Sequence, residues 1–364
     1  MLSALKEIFL FFRKERLYFL LLILVLSFSA LVLSSSQNKK HTSEETEIRV
    51  SEEYQSFVDA EKKFDEKMAR EDSYLEFVQG KPVLAVIFQS VTLFFLLAIL
   101  AGVIFDALLL LKPGWRQKFI RNMPLQAKPW PFSILFKVVL LYIVWGFLIS
   151  VVMGAVHAMF PKFASGNFYM IVHTSLVNAL AIFFIFRFLK REGSDWRELG
   201  LRVPEGGVAR EAGVGLLGYL GVLPLFVLSL MVLLLIAHLM AYEPPPHPLV
   251  NVFLEEEKRQ PMLFMFSVFL GMVIGPIFEE IFFRGFCYPV LKGKVGKFWA
   301  VVVTSAVFAG IHNSGFAFWP IFILGVALTC LYEARKTLVS PIVMHIFHNT
   351  VFISYFFLVK KMIT

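Results

Sequence analysis

The chain has 364 residues, 58% of them hydrophobic and 17% charged, with a mean hydropathy of +0.72; ordinary soluble domains carry roughly 25% charged residues. The net charge of +8 does not point to nucleic acid, because the basic residues cluster in short loops between apolar runs, where they report topology. Cys287 and Cys330 have no ligand spacing and support no disulfide framework.

The apolar runs are long enough to cross a bilayer, which takes about 20 residues as a helix. They are apolar on every side rather than alternating, so they predict helices and not the strands of a barrel. The expected fold class is all-α, a polytopic transmembrane helical bundle of about nine spans.

Residues 1–34 read as an N-terminal anchor. Lys6, Arg13, Lys14 and Arg16 precede an apolar run at about 17–33. A cleaved signal sequence is the rival reading, and the length of the run favours a retained anchor. Residues 35–82 form a polar segment with an acidic excess. Within it Tyr54, Phe57, Val58, Phe64 and Met68 recur at near-helical spacing, which predicts an amphipathic helix lying on the membrane or packed on the protein.

Further spans are expected at about 83–111, 137–158, 168–188, 212–240, 261–283, 298–314, 317–333 and 339–358. Loop charges orient them. Segments 112–137, 187–210 and 284–297 and the turn at Arg335–Lys336 are basic and fall on the side of the N-terminus. Segments 35–82 and 241–260, the latter with Glu255, Glu256 and Glu257, fall on the other. The positive-inside rule then places the N-terminus in the cytoplasm, with Lys360 and Lys361 as an exception. The location expected is the plasma membrane.

Ionisable groups inside spans are costly and usually functional, and here they gather in the last third of the chain. Glu279 and Glu280 adjoin near the end of one run. Glu280 and Arg284, four apart, share a helix face and predict an ion pair. Glu279 points elsewhere, as a carboxylate suited to taking a proton from water and passing it on. Counting along the hairpin expected around 291–297 brings His312 to the depth of Glu279. In the last run His345 and Asn349 are four apart on one face, with His348 beside them. A Glu, two His and an Asn in one cavity could activate water and stabilise an oxyanion. Glu279, His312 and His345 could equally hold a divalent metal such as zinc. The residues leave that choice open.

The other polar residues read as structural. His157 and His238 lie at span ends, and His173 is expected to make a core hydrogen bond. Asn313, Ser314 and Gly315 predict a turn between two short helices, and Gly325 a close helix contact.

The motifs EEIFFR (279–284), FAGIH (308–312) and HIFHN (345–349) resemble, in order, the EExxxR, FxxxH and HxxxN pattern of the CPBP family, the CAAX-protease and bacteriocin-processing intramembrane endopeptidases. The resemblance is firm over 261–358 and extends over a domain of about 83–360, implying an eight-helix protease-like core. It implies Glu279 as catalytic base, with His312, His345 and Asn349 as its catalytic partners and Glu280 and Arg284 in support. It implies hydrolysis of peptide bonds in membrane-anchored protein or peptide substrates within the lipid bilayer, CAAX-type C-terminal processing among them, by a metalloprotease or a glutamate mechanism. The rival readings are a non-catalytic membrane scaffold or bacteriocin-immunity protein, and a proton-coupled transporter.

Overall fold

The computed structural model describes residues 11, 13–24, 26–27, 52–68, 73–119, 130–160, 166–202, 206–242 and 248–363. Residues 25 and 28–33 of the expected first span, and 35–51 and 69–72 of the polar segment, lie outside them. Among the described residues the chain is all-helical. Residues 16–24 are helical, and the labelled helices are α1 (Glu52–Met68), α2 (Ser73–Gly80), α3 (Pro82–Leu111), α4 (Pro113–Phe119), α5 (Phe132–Met159), α6 (Gly166–Arg191), α7 (Gly207–Leu239), α8 (Pro248–Arg259), α9 (Pro261–Phe269), α10 (Gly275–Glu280), α11 (Tyr288–Gly310), α12 (Phe318–Arg335) and α13 (Val339–Ile363).

Seven described helical runs are long and apolar enough to cross a membrane, so the protein is a multi-spanning membrane helical bundle. Six of them overlap the runs expected at 83–111, 137–158, 168–188, 212–240, 317–333 and 339–358. The runs expected at 261–283 and 298–314 fall in one helical stretch, Pro261–Gly310, broken at Gly296. Gly296 has φ 79° and ψ 169°, a backbone state closed to most L-residues. Its position at the end of the KGKVG sequence is where the basic loop was expected.

The chain divides into two compact units. The first contains the described residues up to 27, then 130–160, 166–202 and 278–304. In it α5 packs on α6. His173 Nε2 sits 3.1 Å from Ser150 Oγ and 3.0 Å from the Gly146 carbonyl, hydrogen-bonding contacts across that pair that are exposed or part-buried rather than in the core. Trp130 donates from Nε1 to Ser194 Oγ at 3.0 Å. Lys137 Nζ meets Glu15 Oε1 at 2.6 Å, tying the N-terminal helix to α5.

The second unit contains residues 52–119, 206–277 and 305–363. Its centre is α7, which packs against α3, α12 and α13. Tyr219, Val222 and Leu223 of α7 meet Leu324, Leu328 and Leu331 of α12 and Met344 of α13 in a buried core. The α7–α13 approach is close: a Cβ on Gly215 would lie 2.5 Å from the Ser340 carbonyl.

The two ends of this unit carry different chemistry. At one end Arg335, fully buried, donates to Glu211 from Nε (2.9 Å) and Nη2 (2.5 Å), and to the Phe119 carbonyl from Nη1 (2.6 Å). Ser340 Oγ donates to the same carboxylate at 2.8 Å. At the other end Lys360 pairs with Glu257, Lys81 donates to the Met362 carbonyl at 3.2 Å, and Arg259 lies 3.9 Å from Glu53. There α1 packs on α8 and α13, with Phe57 5.9 Å from Phe356 and Phe253 5.5 Å from Phe357. Within this unit Phe119, Glu211 and Arg335 meet at one end, and Glu53, Glu257 and Lys360 lie at the other. The lysine that broke the charge rule, Lys360, has its charge met by an acidic residue of the 241–260 loop.

Candidate functional site

The first motif, Glu279–Arg284, lies in the first unit; the helical stretch that leads into it carries two π-turns, Leu270–Ile274 in the second unit and Ile281–Cys287 in the first. Their cause is local. Each is followed, one residue on, by a proline: Gly275 precedes Pro276 and Tyr288 precedes Pro289. In a regular α-helix a proline ring collides with the carbonyl four residues back, and proline has no N–H to give. Widening the preceding turn relieves the collision. The Gly275 N–H accordingly reaches back five residues to the Leu270 carbonyl, and the Tyr288 N–H five residues to Phe283. Single π-turns inside α-helices cluster at functional sites.

Between the two π-turns stand Glu279 and Glu280. Arg284 Nη1 donates to Glu280 Oε1 at 2.6 Å, and both side chains are wholly buried. The guanidinium also lies 5.9 Å from the Phe283 ring centroid. The expected ion pair is therefore present and desolvated. Glu279 is half-buried, and nearby on the same helix the ring of Phe282 packs 6.2 Å from that of Tyr142 of α5. Tyr142 was not singled out from the sequence, because nothing in an apolar span marks one tyrosine among many aromatics.

His312, His345 and Asn349 lie in the second unit. The structure brings the two histidines to one residue, Phe308: its ring is 5.0 Å from His312 and 5.7 Å from His345, both edge-to-face. Phe308 is pressed into place by Gly325 of α12, where a Cβ would lie 3.2 Å from its ring and 3.1 Å from the Ser305 Cβ. His312 Nδ1 is 2.7 Å from the Phe308 carbonyl. A carbonyl only accepts, so Nδ1 carries the hydrogen and Nε2 is the basic nitrogen of the neutral ring. The turn after His312 forms as expected: Asn313 takes φ 50°, and Ser314 Oγ accepts the Ala317 N–H at 3.1 Å.

His348 faces aromatic rings instead: Tyr219 at 5.8 Å, Phe226 at 5.0 Å and Phe352 at 4.6 Å. Asn349 donates from Nδ2 to the Gly271 carbonyl at 2.8 Å, a contact with the first π-turn that spacing alone does not reveal. The Glu211–Arg335–Ser340 network was also missed. Its members are far apart in sequence, and the one available signal was a glutamate at the mouth of an apolar run. Among the described residues no group of three or more His, Cys, Asp or Glu side chains is arranged to hold a metal ion.

Comparison with known proteins converges on the same segment. A family model of the Rce1-like type II CAAX prenyl endopeptidases matches residues 261–351. The membrane-embedded CAAX protease MroQ of Staphylococcus aureus (strain USA300) is 35% identical over 89 residues, covering 22% of this chain and 36% of that protein. The putative membrane peptidase YdiL of Bacillus subtilis (strain 168) is 29% identical over 83 residues, covering 23% of this chain and 34% of that protein. The match thus spans about a third of the length of these curated relatives. No solved structure matches.

Proposed function

We propose, from the match of residues 261–351 to the Rce1-like CAAX endopeptidases, that the chain is a member of that family and an intramembrane endopeptidase hydrolysing peptide bonds of membrane-anchored proteins or peptides. The observation that carries this reading is the presence of all three motifs, each with its polar residues intact, inside the matched segment. CAAX-type C-terminal processing is the form suggested by the family model and by the name of MroQ.

In the reaction proposed, Glu279 takes a proton from a water molecule as its oxygen attacks the scissile carbonyl. The tetrahedral oxyanion accepts hydrogen bonds from groups placed for it, a role assigned to His345 and Asn349. His312 holds its Nδ1 hydrogen on Phe308 and offers Nε2 to the attacking water. As the C–N bond breaks, Glu279 returns the proton to the leaving amine, so the carboxylate is regenerated. Glu280 and Arg284 take no part in proton transfer. Their pairing fixes the backbone that carries Glu279.

The same reading orients the protein. The end with Arg335 and Glu211 is taken as cytoplasmic, with the end bearing Lys360 and Glu257 outside. From Val339, His345 is six residues along α13 and Asn349 ten, or about 9 and 15 Å. The chemistry is therefore assigned to the cytoplasmic half of the membrane.

The test is proteolysis of a membrane-anchored peptide library, including a prenylated C-terminal peptide, by the purified full-length protein in liposomes. Wild type is compared with Glu279→Ala, each with and without chelator. Cleavage by wild type and not by the variant is expected. Equal cleavage by both removes Glu279 from the mechanism, and a folded wild type that cleaves nothing favours the scaffold reading.

A further inference from the structure

The carbonyl of Gly271 has lost both of its helical donors. In an α-helix it would accept the N–H of residue 275, but Gly275 donates to Leu270 instead. In a continued π-turn it would accept from residue 276, which is Pro276 and has no N–H. Gly271 is half-buried, and a carbonyl shielded from water without a donor costs up to about as much as a lost hydrogen bond. The donor is Asn349 Nδ2, at 2.8 Å from α13. A primary amide has two hydrogens and one carbonyl oxygen, so this contact leaves one N–H and the oxygen for other work.

We infer that Asn349 is a positioning residue: its side-chain amide straps the proline-induced π-turn at Leu270–Ile274, and so holds the helical stretch on which Glu279 comes eight residues after Gly271. The consequence for catalysis rests on the endopeptidase reading of Glu279. The strap itself does not, because it is a hydrogen bond within the second unit that can be read without substrate. Helical runs transmit a local change in winding to the residues downstream. Losing the strap lets the turn fray or rewind, and rotates the next turns of the helix.

The strap makes a specific demand on Pro276. Replacing that proline with alanine supplies the missing N–H, and the Gly271 carbonyl then has a backbone donor whether the turn stays π or closes to α. Asn349 becomes dispensable to the turn, though not to any direct contact with water or substrate.

The experiment is hydrogen exchange on the full-length protein in nanodiscs, monitored in peptides covering 264–280, for wild type, Asn349→Ala, Pro276→Ala and the double variant. Asn349→Ala is expected to raise exchange at the Gly275 amide and its neighbours about tenfold, and the double variant to return close to wild type. In the peptide-cleavage assay Asn349→Ala should lower kcat with little change in KM, and Pro276→Ala should recover part of the loss. Unchanged exchange in Asn349→Ala overturns the strap, whatever happens to activity. Restored exchange with no recovery of kcat overturns the positioning role and leaves Asn349 with chemistry alone. If Asn349→Ala does not fold, folding must return in the double variant, and its failure to do so also overturns the strap. Exchange decides the matter even where wild type cleaves no peptide, so a failure of the endopeptidase reading remains distinguishable.

Discussion

Arg284 and Glu280 form a salt bridge at 2.6 Å with neither side chain exposed, while the adjacent Glu279 is half-buried. Breaking one partner of a buried pair leaves an uncompensated charge and costs about 3–5 kcal/mol. Replacing a half-buried carboxylate by its amide costs far less, within about 1 kcal/mol. Arg284→Ala and Glu280→Ala should therefore melt well below wild type in detergent, and Glu279→Gln should melt with it. Activity should rank the variants differently, with Glu279→Gln inactive although stable.

The Arg335 cluster makes a second claim about stability. Its guanidinium satisfies Glu211 and the Phe119 carbonyl, and Ser340 adds a third donor to the same carboxylate. Arg335→Ala strips Glu211 of two charged hydrogen bonds in a fully buried setting and should cost about 3–5 kcal/mol. Ser340→Ala removes one neutral donor and should cost about 1 kcal/mol. Thermal unfolding in one detergent, with both variants in parallel, checks the ratio as well as the values.

The contact of α7 with α13 leaves no room at Gly215. A methyl group there would sit 2.5 Å from a backbone oxygen of Ser340, which cannot move without shifting the helix. Gly215→Ala should destabilise by about 1–3 kcal/mol through overpacking, against the gain that Gly→Ala gives in an open helix. A variant as stable as wild type would mean that the two helices can part cheaply.

The spans were legible because lipid imposes one simple pattern, and the motifs were legible because charged residues are rare in that pattern. Glu280 with Arg284 came from helical spacing alone. Helix ends were less visible: α7 begins at Gly207 rather than near 212, because Arg210 and Glu211 continue the helix past the apolar run, and α5 begins at Phe132 rather than near 137, its mostly apolar first turn being set off from the rest of the run by Lys137. The π-turns were not foreseen, although Pro276 and Pro289 were in view. Their effect depends on which carbonyl a distant side chain can reach. Glu211 and Arg335 are 124 residues apart, so no local pattern could join them. Asn349 was visible as a polar residue on the face of His345, and its hold on Gly271 was not.

Glu61 on α1, outside the membrane spans, gives a pH dependence. Burial first, and the nearby charge of Asp65 second, raise its pKa above the usual 4.5. The packed state therefore favours the neutral acid. As pH falls from neutral through the window between the raised value and 4.5, packing takes up a proton and α1 docks more firmly; as pH rises, that gain is lost. Glu61 is only partly buried, so the effect should be small. Exchange protection of residues 52–68, corrected for the intrinsic pH dependence, should increase on acidification in wild type and stay flat in Glu61→Gln.

The central claim is that Glu279 activates water for peptide-bond hydrolysis. It is tested most directly by cleaving a membrane-anchored peptide in ¹⁸O-labelled water and weighing the products. Wild type should release a fragment with one heavy oxygen in its new carboxyl group, and Glu279→Gln, folded and melting with wild type, should release none. Labelled product formed by Glu279→Gln at the wild-type rate would contradict the account.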